Sequence, residues 1–80
     1  MQRYFFHSQN ETRYTDDEGM ELDGPVEARR MAIRTCGQMM QDAPEGFWSS
    51  RPWSVTVTDD KGLVLWEIFM DGVASAAMQR

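Results

Sequence analysis

The chain has 80 residues and a formal net charge of −5, and 41% of its residues are apolar. This composition is typical of a globular protein, and so short a chain has room for one domain with a thin core. Nucleic acid is a poor partner for it, because 13 acidic residues outnumber eight basic ones and phosphate binding depends on Lys and Arg.

The compartment follows from cysteine content and hydropathy. Cys36 is the only cysteine, which excludes an intramolecular disulfide, and the first ten residues lack the apolar run of a secretory signal. The longest strongly apolar stretch, residues 63–70, is too short to cross a membrane and contains Glu67. We therefore expect a cytoplasmic protein that does not bind membranes.

The first predicted element is a hairpin. Residues 3–8, "RYFFHS", are aromatic-rich and favour a strand, "QNE" supplies a turn, and residues 12–15, "TRYT", return as a shorter second strand.

A single helix is expected next. Apolar residues recur at spacings of three and four over residues 28–43, which is the pattern of one buried helix face. Asp23 or Gly24 is the expected cap, Pro25 fits the first helical position, and Pro44 should end the helix. Residues 44–52 are then predicted to form a loop.

A second hairpin follows this loop. Apolar and polar residues alternate over 53–58, residues 59–62, "DDKG", predict a turn with Gly62 in a left-handed conformation, and residues 63–70 complete the hairpin. We interpret residues 1–70 as one domain and residues 71–80 as a C-terminal tail.

The predicted fold class is α+β, a two-layer β-β-α-β-β domain. It has a four-stranded, mainly antiparallel sheet with one helix on one face. The first and last strands look apolar on both faces, although one helix can cover only one of them. The second face would then need a cover, such as a second copy of the chain, a partner protein or the tail. The alternative is that both strands are central in the sheet and that Phe47 and Trp48 of the loop wrap round them.

Five carboxylates lie within residues 15–25, "TDDEGMELDGP". A calcium-binding EF-hand loop is excluded because Met20 and Glu21 stand where a ligand and an obligatory glycine are needed. We expect these acids mainly to lead into the helix, and less readily to form a docking surface or a metal site. His7 and Cys36 are more readily structural than catalytic, and no zinc-ligand spacing is present.

Four short motifs resemble a known family. They are "YFFH" at residues 4–7, "DEGMEL" at 17–22, "AR" followed by Ala32, and "VTDDKGLVL" at 57–65. In this order they resemble a family of short proteobacterial proteins, common in rhizobia, that is known only as a domain of unknown function. The resemblance implies a bacterial cytosolic origin and no known activity.

The functional prediction is a non-enzymatic protein-interaction module, either a homodimer or an adaptor, with no cofactor, no catalytic residues and no metal site. The alternative is a small-molecule or metal-binding regulatory domain that uses the acidic loop 16–23 and His7. The candidate interaction surface consists of Phe5, His7, Phe47, Trp48, Trp66, Arg29, Arg30 and Arg34.

Overall fold

A computed structural model describes residues 1–78 of the chain. Gln79 and Arg80, the end of the predicted tail, lie outside the described residues. The elements in chain order are β1 (Gln2–Gln9), β2 (Arg13–Tyr14), β3 (Met20–Leu22), α1 (Pro25–Asp42), α2 (Pro44–Ser50), β4 (Trp53–Thr58), β5 (Val64–Met70) and a 3₁₀ turn at Ala76–Met78.

The five strands form one antiparallel sheet in the order β2, β1, β4, β5, with β3 also paired to β1. The α+β class and the antiparallel sheet are as predicted. The layout of four strands and one helix is matched only roughly, since a fifth strand and a second helix are present.

Side chains alternate between the two faces of the sheet, so every second residue of β4 is buried beneath α1. Trp53, Val55 and Val57 are almost fully buried, as is Tyr4 of β1. The remaining core residues are Ala28, Ala32, Cys36, Phe47 and Met70.

Helix α1 begins and ends close to the predicted positions. Gly24 is the N-cap residue, Pro25 occupies the first turn, and no side chain caps the helix, so Asp23 does not serve that role. Small residues allow α1 to approach the sheet closely, since Ala28 and Ala32 are completely buried.

Residues 44–50 form the helix α2, where a loop was predicted. Pro44 does end α1, but it also occupies the first turn of α2, where its missing N–H needs no partner. The ring of Phe47 reaches the core and meets Trp53 edge to face, with ring centroids 5.4 Å apart. The prediction of one helix was therefore wrong, because proline starts helices as well as ending them.

The turn between β4 and β5 agrees with the prediction. Gly62 has a positive φ of 82°, which a residue with a side chain rarely adopts. The carboxylate of Asp59 accepts hydrogen bonds from the backbone N–H groups of Lys61 and Leu63. A register shift between Val57 and Thr58 accommodates the extra residue on β5.

Within residues 1–78, neither helix is both long enough and apolar enough to cross a bilayer.

The close approach of α1 to the sheet predicts the effect of a larger side chain at position 32. Ala32→Leu should lower the free energy of unfolding by about 1–3 kcal/mol, because the added atoms have no space beneath the helix. Urea denaturation followed by tryptophan fluorescence measures this change.

Gly37→Ala is the matched control on the same helix. Nothing lies within 4 Å of a Cβ atom at position 37, so the variant should gain up to about 1 kcal/mol from the helical preference of alanine. Wild-type stability in Ala32→Leu would contradict the described packing.

Candidate functional site

The acidic segment belongs to an interrupted strand along the outer edge of β1. Ser8 is paired with Tyr14 of β2, and Tyr4 with Met20 of β3. Tyr4 and Ser8 are four residues apart on β1, whereas their partners Met20 and Tyr14 are six residues apart. The segment between β2 and β3 therefore has two more residues than the stretch of β1 that it faces. The interruption would leave the backbone of Phe6, midway along β1, without a strand partner on that edge.

The side chain of Asp16 fills this gap. Its Oδ2 atom accepts a hydrogen bond from the N–H of Phe6 at 3.1 Å. Its Oδ1 atom accepts two more, from the N–H groups of Glu18 and Gly19, both at 3.1 Å. One carboxylate thus replaces a missing strand residue and shapes the turn that leads into β3.

The protonation of Asp16 reflects these bonds. Burial by itself raises the pKa of the Asp16 carboxyl. Its hydrogen bonds to three backbone N–H groups, with a smaller contribution from the ring of His7, outweigh that effect and place the pKa below its ordinary value of 3.8. Asp16 is therefore charged at neutral pH and holds the turn through charge-assisted bonds.

Gly19 allows the turn to lie directly on β1. Its φ is +71°, and a Cβ atom there would stand 2.9 Å from the carbonyl oxygen of Tyr4. Arg3 holds the same turn from the side, since its guanidinium donates to the carbonyl of Glu18 at 2.7 Å and to the carboxylate of Glu21 at 3.1 Å. Much of the acidic segment is therefore engaged with β1.

His7 connects this turn to β4. The backbone N–H of Asp16 donates to Nδ1 of His7 at 3.0 Å, so in the neutral ring the proton is on Nε2. Nε2 lies 3.3 Å from Oγ1 of Thr58 and donates to it. Both ring nitrogens thus have partners within the fold.

The sheet face away from α1 is largely polar along its centre. His7, Thr56, Thr58 and Glu67 lie in a row across it, since they are paired or diagonal neighbours in β1, β4 and β5. Together with Gln9 and residues of β2 they line a shallow depression of about 410 Å³. The expectation of an apolar second face was wrong for its centre, because the large apolar side chains Phe5, Val64 and Phe69 lie at its margins.

The aromatic members of the predicted interaction surface do not lie together. Phe5 stacks on His7 on the open face, with ring centroids 6.5 Å apart. Phe47 is in the core at 4% exposure, whereas Trp48 is 47% exposed and carries the guanidinium of Arg51 on its ring. Trp66 lies on the helix side of the sheet.

The predicted arginines all lie on α1. The guanidinium of Arg29 lies 5.9 Å from the ring centroid of Trp66, so this residue packs back against β5. Arg30 donates to Glu27 at 2.8 Å along the helix, and Arg34 is exposed.

The geometry does not assemble a reactive pair from the single cysteine and the single histidine. Cys36 lies on the buried face of α1, and burial raises the pKa of its thiol. His7 is on the opposite side of the sheet. Among residues 1–78, no three His, Cys, Asp or Glu side chains gather in an arrangement that could hold a metal ion.

Strand β5 has one edge that no strand covers within residues 1–78. The backbone of Phe6 faces the outer edge, towards Asp16, so that of His7 faces β4, since successive residues of a strand alternate. Thr56, the partner of His7, must then face β1 and turn away from β5. Glu67, the partner of Thr56, therefore presents its N–H and C=O to the uncovered edge, and so does Phe69.

The side chains of β5 suit an edge that contacts another protein. Val64 and Phe69 are 55% and 67% exposed, and Leu65, Trp66 and Ile68 are only partly buried. Glu67 is the only charged residue in the strand. The sequence showed β5 as a strand but gave no sign that it lies at an edge, which depends on the order of strands in the sheet.

Comparison with known families gives one match, in which the profile of a domain of unknown function (DUF6894) aligns with residues 3–71. The chain belongs to this family. Neither a curated protein nor a solved structure matches it. The match covers both helices and all five strands except Gln2 of β1, and therefore includes both the Asp16 turn and β5.

Asp16 is the residue that sequence reasoning missed. It was counted among the acids leading into α1, whereas its carboxylate bonds to β1 and to the turn that leads into β3. The available signal was "DDEG", since an aspartate followed by a glycine three residues later is typical of a side-chain-capped turn.

Asp16→Asn should lower the free energy of unfolding by about 1–3 kcal/mol at neutral pH, because a neutral amide oxygen cannot replace two carboxylate oxygens that accept three N–H bonds. Thermal unfolding followed by circular dichroism measures the loss. The neighbouring Asp17→Asn is the control and should unfold like the wild type. Equal effects of the two variants would contradict the role of Asp16.

The stability contributed by Asp16 should also depend on pH. Because the folded-state pKa lies below the ordinary value of 3.8, the contribution is fully present above that value and is lost as pH falls through the lowered folded-state pKa. The difference in stability between wild type and Asp16→Asn should therefore be constant near neutral pH and shrink in this acidic range. Urea denaturation of both proteins across the range tests this, and a constant difference at all pH values would contradict it.

Proposed function

We propose that the chain is a small, non-enzymatic protein-interaction module that binds an extended segment of its partner along the uncovered edge of β5. The bound segment adds a further strand to the sheet, and its backbone bonds to that of Glu67 and Phe69. The partner is either a second copy of the chain, in a homodimer, or another protein to which the chain binds as an adaptor.

The orientation of the β5 backbone is the observation that carries this proposal. An uncovered strand edge presents a row of unused N–H and C=O groups, which is a template for strand addition. Strand β5 has seven residues, longer than a typical protected edge, and contains no proline. Phe69, the most exposed aromatic side chain on the sheet, projects beside that row.

Other surfaces support the proposal less well. The open face of the sheet carries polar side chains across its centre, and its large apolar side chains Phe5, Val64 and Phe69 stand apart at its margins. A regulatory site for a metal or small molecule in the acidic loop is also less well supported, since Asp16 and Glu21 already bond to β1 residues. The absence of catalysis is part of the proposal, because both nitrogens of His7 serve the fold.

The resemblance described above extends the proposal to the setting of the protein. Short proteobacterial proteins of this kind imply a bacterial, cytoplasmic module, and we include both features in the proposal. Residues 1–70 then form the binding domain, and the segment from residue 71 is its tail. The first residues of the tail are held by Arg51, whose guanidinium donates to the carbonyl of Gly72.

Two substitutions in β5 test the proposal. Phe69→Lys places a charge on the edge, and Phe69→Pro removes an N–H that faces away from β4, so neither should break the sheet. We expect both variants to fold and to lose at least tenfold in association. Light scattering over a concentration series measures self-association, and capture from a bacterial lysate measures binding to other proteins.

Ile33→Lys is the matched control. Ile33 is 61% exposed on α1, so this variant loses a comparable apolar surface at a different place. It should associate like the wild type. Association unchanged in both Phe69 variants, or lost equally in Ile33→Lys, would contradict a role for β5, as would a wild-type chain that stays monomeric and captures nothing.

A further inference from the structure

We infer that the segment added to β5 is basic, with a lysine or arginine opposite Glu67 and apolar residues on either side of it. This inference rests on the proposed function, because it names the chemistry of the partner that would occupy the same edge. It follows from the charges around β5 and from the two faces that an added strand would share with the sheet.

The hairpin that contains β5 is acidic. Residues 59–71 hold four carboxylates, Asp59, Asp60, Glu67 and Asp71, and a single lysine, Lys61. Asp59 and Asp60 lie in the turn before β5, where Asp59 is bonded to the turn backbone, and Asp71, after the strand, lies 3.8 Å from Arg51. Glu67, in the middle of the strand, is therefore the charge that an added strand would meet first.

Glu67 is well placed to select a cation. Its backbone faces the uncovered edge, so the residue opposite it would exchange both backbone hydrogen bonds with it, at a Cα separation of about 5.5 Å. Its side chain is exposed on the open face, where Oγ1 of Thr56 donates a hydrogen bond to it at 3.3 Å. Opposite charges paired in this way across two strands attract.

The helix side of the sheet calls for different residues. There the neighbours of an added strand would be Trp66 and Ile68, which are partly buried and apolar. Arg29 also lies on this side, 5.9 Å from the ring centroid of Trp66, and would repel a cation. The bound segment should therefore alternate, with its basic residue on the open side and apolar residues towards α1.

A second copy of this chain does not meet these requirements. In a two-fold antiparallel pair centred on Glu67, the two carboxylates would lie opposite each other. Centring the pair on Phe69 places Glu67 opposite Asp71 of the second copy, and centring it on Trp66 or Ile68 places it opposite an apolar residue. None of these registers supplies a cation. A pair centred on Val64 would bring Lys61 opposite Glu67, but Lys61 lies in the turn outside β5, and each chain carries a charge of −5.

Two synthetic peptides test the inference. Both alternate valine with threonine, and they differ only at the central position, which is lysine in one and glutamate in the other. Binding to the full chain is followed by amide shifts of β5 in NMR spectra, in low salt and in high salt. The wild type should prefer the lysine peptide by roughly three- to tenfold, and the preference should shrink in high salt.

Removal and reversal of the charge at position 67 provide the matched variants. Glu67→Gln should bind both peptides about equally, and Glu67→Lys should prefer the glutamate peptide. Because Glu67 is exposed, both variants should keep the wild-type melting temperature. This pattern would show that the charge at position 67 determines which peptide binds, and would therefore support a basic partner.

Three results would overturn the inference, and they separate it from the proposed function. Equal binding of both peptides to the wild type, with β5 amides shifted, would remove the basic partner but leave strand addition intact. No β5 shift with either peptide would remove both proposals. A dimer that protects the amide of Glu67 and resists both peptides would identify a second copy as the occupant.

Discussion

The carboxylate of Asp16 occupies the place of a missing strand residue beside β1, and much of the sheet depends on the hydrogen bond that it accepts there from Phe6. Strand β1 is paired along both edges, with β4 on one side and with β2 and β3 on the other. A buried backbone N–H without a partner costs about as much as a lost hydrogen bond. Asp16 removes that cost at Phe6 and allows two short strands to act as one.

The same turn is connected through His7 to two neighbouring strands of the sheet. His7 accepts the backbone N–H of Asp16 on one nitrogen and donates to Thr58 on the other, so the edge turn, β1 and β4 are linked across the sheet. Gly19 and Arg3 hold the turn against β1 from two further directions. The acidic segment is thus chiefly a structural element of the fold, and its charge is compatible with burial because the backbone supplies the donors.

The parts of the fold that sequence could predict are those with a long periodic pattern. The stripe of α1 and the alternation of β4 extend over enough residues to indicate their type, and Gly62 marked a turn that is present. Strand β3 was missed because three residues are too few to show alternation. Helix α2 was missed because proline was interpreted only as an end signal.

The candidate site was harder to predict because it depends on contacts between distant residues. Trp66 and Glu67 are adjacent in sequence, yet one faces α1 and the other faces the open side and the uncovered edge. The sequence of β5 suggested two apolar faces. The pairing of Glu67 with Thr56 and the register shift after Val57 determine which side chain lies on which face of the sheet. Neither the pairing partner nor the strand order is encoded in a local pattern.

The two edges of this sheet are treated differently, and that difference is the strongest physical support for a binding role. At one edge the strands β2 and β3 are only two and three residues long and are separated by the Asp16 turn, so this edge offers no long row of backbone groups to another chain. At the other edge β5 runs for seven residues, no strand of the described chain covers it, and its side chains are apolar apart from a single acid. An edge of this kind is open to uncontrolled aggregation unless something protects it. A lone carboxylate at Glu67 discourages pairing between copies and attracts a strand that carries the opposite charge, so one residue can both protect the edge and select its partner.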